Sequence, residues 1–127
     1  MDKNEFLEKH IFTDLQKIHQ ESDADTIPYF SEADFAVILE RIEHFGIGIY
    51  GIEPWFEGKF YDVKTNEAYR KKATDPKWYK RAFFEFKKQQ ANLQYAATYR
   101  ISDKLLAKET IEVKETKDTE ETSQSKA

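Results

Sequence analysis

The sequence predicts an α+β domain with three helices packed on a small, mainly antiparallel three-stranded sheet, in the order α-α-β-β-α-β. Three observations carry this. Apolar residues recur at spacings of three and four in three separate stretches, the pattern of helices with one buried face. The run His44–Val63, HFGIGIYGIEPWFEGKFYDV, leaves a helix through glycine, then reads as a strand, a tight turn and a returning strand. Gln94–Ile101 alternates as a third strand. Aromatic residues make up 15% of the 127 positions, enough ring area for one core although 35% of the chain is charged.

The first helix is predicted over residues 3–20. Leu7, Ile11, Leu15 and Ile18 form its apolar stripe, with Phe6 and Phe12 beside it. A polar connection, Gln20–Asp25, follows, and Thr26–Tyr29 runs extended because Pro28 steers Ile27 away from helix. The second helix opens at Ser31 as N-cap, with Asp34 at the third helical position. Phe30 and Phe35 are placed as a hydrophobic staple across the cap. Phe35, Ile38, Leu39 and Ile42 are its buried stripe, and Gly46 its stop.

Strand one is predicted over Ile47–Glu53, with Ile47 and Ile49 facing one way and Tyr50 and Ile52 the other. Apolar residues on both faces mark it as an inner strand. Gly48 and Gly51 indicate a bulge or a close approach by another element. Pro54 lacks an N–H and is expected to end regular pairing. Phe56–Lys59 is a turn, Phe60–Val63 strand two, and Thr65–Thr74 a polar loop with a short turn near Ala68–Arg70. The third helix opens at Asp75-Pro76, a favoured N-cap followed by a favoured first helical residue. It buries Tyr79, Ala82, Phe83 and Phe86, with Trp78 and Phe84 flanking, and ends near Asn92. Ser102-Asp103 caps a short turn that brings Leu105 and Leu106 to the core. From about Lys108 the chain is Glu, Lys, Thr and Ser without an aromatic, too little apolar area to offset ordering entropy. Residues 1–107 are thus predicted as one domain and 108–127 as a disordered charged tail. The alternation Thr110–Val113 offers an edge strand instead.

Composition narrows the function classes. The absence of cysteine excludes a disulfide, a thiolate zinc site and a thiol nucleophile, and fits a cytoplasmic location. The N-terminus MDKNEFLEKHIF has no apolar core of a signal peptide, and no apolar run reaches the roughly 18 residues of a membrane span. Formal net charge is −4, against a nucleic-acid partner. The one basic cluster, Arg70–Lys72 with Lys77, Lys80 and Arg81 nearby, is either a local patch or, the favoured reading, a solvated loop and helix face.

No catalytic signature, cofactor motif or metal-ligand spacing is present. His10 and His19 are nine residues apart and His44 sits at a helix end, so no metal pair forms. Glu21, Asp23 and Asp25 do not complete a calcium loop, since Pro28 occupies the glycine position. Gly46-x-Gly48-x-x-Gly51 lies inside a strand rather than before a helix, which discards a dinucleotide site. The density of Glu53, Trp55, Glu57, Tyr61 and Asp62 on one hairpin points instead to protein binding, with Trp55 either the anchor of that contact or folded back over the core. Two other readings are a ligand or enzyme cleft between sheet and third helix, using His44, Glu53 and Tyr99, and a homodimer formed through a strand edge.

The run Phe30–Leu106 resembles small, acidic, single-domain bacterial toxin-immunity proteins. The resemblance rests on FGIGIYGIE, the W-x-x-G-x-F-Y-D hairpin, DPKWYKRAFFEF and the QYAATYRI strand. It implies a non-enzymatic inhibitor that binds a cognate toxin, and the acidic surface groups by themselves point to a basic partner. The resemblance assigns no further binding residue.

Overall fold

The computed structural model describes residues 2–18 and 28–108. Its helices are α1 (Lys3–Phe6), a π-helical turn that continues it (Leu7–Ile11), α2 (Glu32–Phe45) and α3 (Pro76–Gln89). Its strands are β1 (Gly48–Phe56), β2 (Lys59–Phe60), β3 (Lys64–Thr65) and β4 (Gln94–Arg100). A further short helical segment, 103–108, ends the described residues. The α+β class is as the sequence predicts, but among the described residues four helices, counting α1 and its π turn as one, and four strands replace three of each. The tail from 109, the alternation Thr110–Val113, His19 and the acidic run Glu21–Asp25 lie outside the described residues.

The first helix is shorter than its apolar periodicity suggests. Asp2 caps it by accepting from the Glu5 amide, and the Phe12 amide closes a wide π turn onto the Leu7 carbonyl at 2.8 Å. The chain then leaves helical geometry, with Asp14 at φ 67°. Groups on α2 capture the freed backbone. Arg41 Nη1 donates to the carbonyls of Ile11 (2.8 Å) and Thr13 (2.7 Å), and Asp34 Oδ2 accepts from the Gln16 amide (3.2 Å). These bonds supply partners a continued helix would have supplied, so tertiary contacts override local periodicity. Ile18 pairs with Tyr29 rather than extending a helical stripe.

Helix α2 follows its sequence signals closely. The Ser31 hydroxyl accepts from the Asp34 amide, and Gly46 ends the helix in the left-handed region. Both staple residues, Phe30 and Phe35, are fully buried. In α3 the Asp75 carboxylate accepts from the Lys77 amide and Pro76 opens the helix. Trp78 joins the expected buried stripe, while Phe84 is exposed.

Strand β1 is the spine of the sheet. It pairs antiparallel with β4 along one edge and with β2 and β3 along the other. Ile49 is opposite Tyr99 and Gly51 opposite Thr98, so Tyr50 is an extra residue bulged out of the ladder. The bulge resets the alternation. Ile49 and Ile52 both enter the core and Tyr50 is left exposed, whereas simple alternation puts Tyr50 and Ile52 together.

Pro54 does not end the strand, contrary to the expectation from its missing N–H. It stays within β1 opposite Tyr95, whose amide and carbonyl turn outward to Phe30 at 2.8 Å each. Pro54 therefore owes β4 no hydrogen bond. On its other side its carbonyl accepts from Tyr61 (3.0 Å) but it cannot donate back. Pairing of the return chain lapses there. The three steps from Trp55 back to Ile52 are matched by four from Phe60 on to Lys64. That one-residue bulge divides the predicted strand two into β2 and β3.

The helices cover one face of this sheet. Phe35 of α2 stacks on Tyr95 of β4 (5.1 Å between centroids, 11° between planes), and Phe83 of α3 meets both rings edge-on. One cluster runs from Phe6 to Tyr99, and Leu105 and Leu106 pack against it as expected, with the Leu105 amide bonded to Ser102 Oγ.

Two hydroxyls in this core, on Tyr79 and Tyr95, have no hydrogen-bond partner among the described residues. Burial raises both phenols well above their ordinary pKa, with Glu43 and Asp75 adding to the effect at Tyr79. An unpartnered buried hydroxyl costs its desolvation, about 1–3 kcal/mol. Tyr79→Phe is therefore expected to leave stability unchanged or raise it by about 1 kcal/mol. The urea midpoint reads this, and a clear drop would show that the hydroxyl is satisfied in solution.

Candidate functional site

The hairpin that the sequence singles out is a two-residue turn. Glu57 (φ 51°) and Gly58 (φ 79°) both take positive φ between Phe56 and Lys59, the turn geometry whose twist matches paired strands. Its register puts Trp55 directly opposite Phe60. Side chains directly opposite share a face. That face is the one away from the helices, since Ile52 and Pro54 are the buried positions of this stretch and Ile52 belongs to the core under the helices.

Trp55 is half-buried and held from two sides. Its Nε1 donates to Glu53 Oε2 at 2.6 Å, and the Tyr29 hydroxyl donates to the same oxygen at 2.9 Å. The Tyr29 and Phe60 rings meet the indole edge-on at 5.3 and 6.5 Å. Phe60 is 56% exposed and Val63 46% exposed. Val63 lies over Gly51, 3.9 Å from where a Cβ there would stand. The open face thus carries Trp55, Phe60 and Val63 around a carboxylate fixed by two donors.

The five residues read from the sequence do not form one surface. Glu53 and Trp55 share the open face. Glu57 projects from the turn into solvent. Asp62 sits at the bulge, where its carboxylate accepts from the Val63 amide at 2.8 Å. Tyr61 turns to the helical side, its ring 6.4 Å from Phe86 and its hydroxyl 3.4 Å from Gln89 Oε1. Sequence reasoning passed over Phe60 and Val63. The turn itself signalled Phe60, because a two-residue loop at Glu57-Gly58 pairs Trp55 with Phe60 automatically.

Behind the hairpin a polar cluster ties β3 to α3. Glu85 Oε1 accepts from Lys64 Nζ (3.2 Å) and from the Tyr69 hydroxyl (2.5 Å), and Arg81 lies 3.7 Å from Oε2. The Tyr69 and Lys64 hydrogen bonds hold Glu85 below the usual carboxylate range. Burial alone would lower Lys64, but its bonds to Tyr69 and Glu85 outweigh that and raise it. Lys64 also lies 4.9 Å from the centroid of Phe86. Every charge here is answered by a neighbour, so the cluster is a brace rather than a reactive centre.

The groups named for a cleft do not converge. Glu53 faces away from the helices, Tyr99 is buried beneath them, and the ring of His44 lies against Phe45 at 5.0 Å. Among the described residues no group of three or more His, Asp or Glu could hold a metal ion, and no helix is long and apolar enough to cross a membrane. No protein-family profile, curated protein or solved structure matches this chain. Fold and site together describe a two-layer α+β domain with one sheet face left open at a hairpin.

Proposed function

We propose that this chain is a non-enzymatic protein-binding module of the toxin-neutralising kind, meeting its partner through the open sheet face at the hairpin. The observation that carries this is the preset indole of Trp55, fixed by Glu53 and Tyr29 beside the exposed ring of Phe60. A ring already held in place loses little freedom on binding, and Trp anchors dominate interface energetics. Along the chain, Glu57 at the turn and Asp62 at the bulge stand on either side of Phe60, with Lys59 the single cation between Glu53 and Asp62. The matching partner surface is an apolar groove edged by lysine or arginine. Acidic flanks on this side speed encounter with such a surface.

The test is capture from lysate of the native host on immobilised wild-type chain, followed by affinity measurement with the captured protein. Trp55→Ala is expected to weaken the complex by about 2 kcal/mol, roughly thirtyfold, with Phe60→Ala acting in the same direction. Circular dichroism checks that both variants fold. Unchanged affinity in a folded double variant removes the proposal.

A further inference from the structure

Charge is unevenly distributed along the sequence, which the net value averages out. Residues 2–18 and 28–108 hold 17 of the 20 Lys and Arg but only 15 of the 24 Asp and Glu. The excess acid of the chain lies at positions 19–27 and 109–127 of the sequence. Cations gather on α3. The helix buries Trp78, Tyr79, Ala82, Phe83 and Phe86, and its outer ridge presents Lys77, Lys80, Arg81, Phe84, Lys87 and Lys88, all exposed. Steps of three and four residues put these six in line over about 17 Å. The one acid of the helix, Glu85, turns to Lys64 and Tyr69.

Two cations of the ridge are answered, Lys80 by Glu43 at 2.5 Å and Arg81 by Glu85. Lys77, Lys87 and Lys88 make no ion pair among the described residues, nor do Arg70, Lys71 and Lys72 in the exposed loop leading into the helix. At mid-ridge Phe84 is 56% exposed, with Lys88 Nζ 5.4 Å from its ring centroid.

We propose that this ridge is a second interaction surface and that it takes a single-stranded nucleic acid. Such a strand offers both things the ridge can use: a continuous row of phosphates for the lysines, and base faces to stack on an aromatic ring. Lysine contacts to phosphates and ring stacking on a base face carry no base identity, so binding is sequence-tolerant. A bilayer suits the ridge less well, because a single ring gives little apolar insertion to add to the charge. The proposal is independent of the hairpin reading and uses another face.

Fluorescence anisotropy of a labelled oligouridine with the full chain tests it, at low and raised salt. The wild type is expected to bind at low salt and to weaken as salt rises. Lys77, Lys87 and Lys88 changed together to Glu should flatten the log–log salt slope by about two, as three lost phosphate contacts require. Phe84→Ala should weaken binding about fivefold or more with little change in slope. The triple change to Gln gives the same readout should charge reversal unfold the chain. Absence of binding by the wild type at low salt overturns the proposal, as does a folded triple variant that binds equally well. Flotation with phosphatidylserine vesicles in place of oligonucleotide binding also overturns it, in favour of a lipid surface.

Discussion

Phe35→Ala is expected to lower stability by about 3–5 kcal/mol, the usual cost of deleting a buried phenyl ring and leaving a cavity. The reason is position. Phe35 is fully buried, stacks on Tyr95 and meets Phe83 edge-on, so one ring joins α2, β4 and α3. Its neighbours come from three elements already held elsewhere and cannot collapse together into the void. Domains of this size hold only about 5–15 kcal/mol in all, so the variant should be largely unfolded at modest denaturant. Urea titration followed by circular dichroism reads the effect as a shifted midpoint at unchanged slope. The exposed Phe84→Ala is the control and should move the midpoint little. Equal shifts in the two variants would contradict the packing described.

Gly48→Val should cost about 1–3 kcal/mol through overpacking. A Cβ at Gly48 would stand 3.0 Å from the Cβ of Ala73, 3.2 Å from its carbonyl carbon and 3.3 Å from the Cβ of Arg100. Ala73 is pinned there, since its carbonyl accepts from the Ile49 amide (2.9 Å) and from Trp78 Nε1 (3.3 Å). The loop before α3 is thereby laid against the first residue of β1, and backbone cannot swing aside as a side-chain tip can. Ala at this position already meets all three of these atoms, and Val adds branches behind them. The series Gly, Ala, Val should therefore fall in melting temperature, with the larger step at Val. For a domain near this size 1 kcal/mol is worth about 4–8 °C, well within calorimetric resolution. A valine variant as stable as wild type would mean that Ala73 yields freely.

Local signals were legible wherever one residue type has a single good use. Ser31, Gly46, Asp75 and Pro76 set the ends of α2 and α3 because capping is decided within a few residues of chain. The turn at Glu57-Gly58 was legible for the same reason. Legibility failed where the outcome depended on residues distant in sequence. The first helix stops early because Arg41 and Asp34, on α2, take its backbone groups. Tyr50 is exposed and Ile52 buried because of a bulge against β4, which no reading of β1 alone contains. Pro54 survives in a strand because Tyr95 happens to face Phe30 at that register.

The hairpin cluster shows the same division. Proximity in sequence put Tyr61 with Trp55, but strand alternation sends them to opposite faces and brings in Phe60 instead.

By itself the sequence determined the α+β class, the caps of two helices, the hairpin turn and most of the core, since periodicity and capping act over one or two turns of chain. Tertiary structure alone decided the two bulges, the early end of the first helix and which face of the sheet the helices leave open. Those depend on hydrogen bonds and packing between segments far apart in the chain, and such pairings exist only once the segments meet.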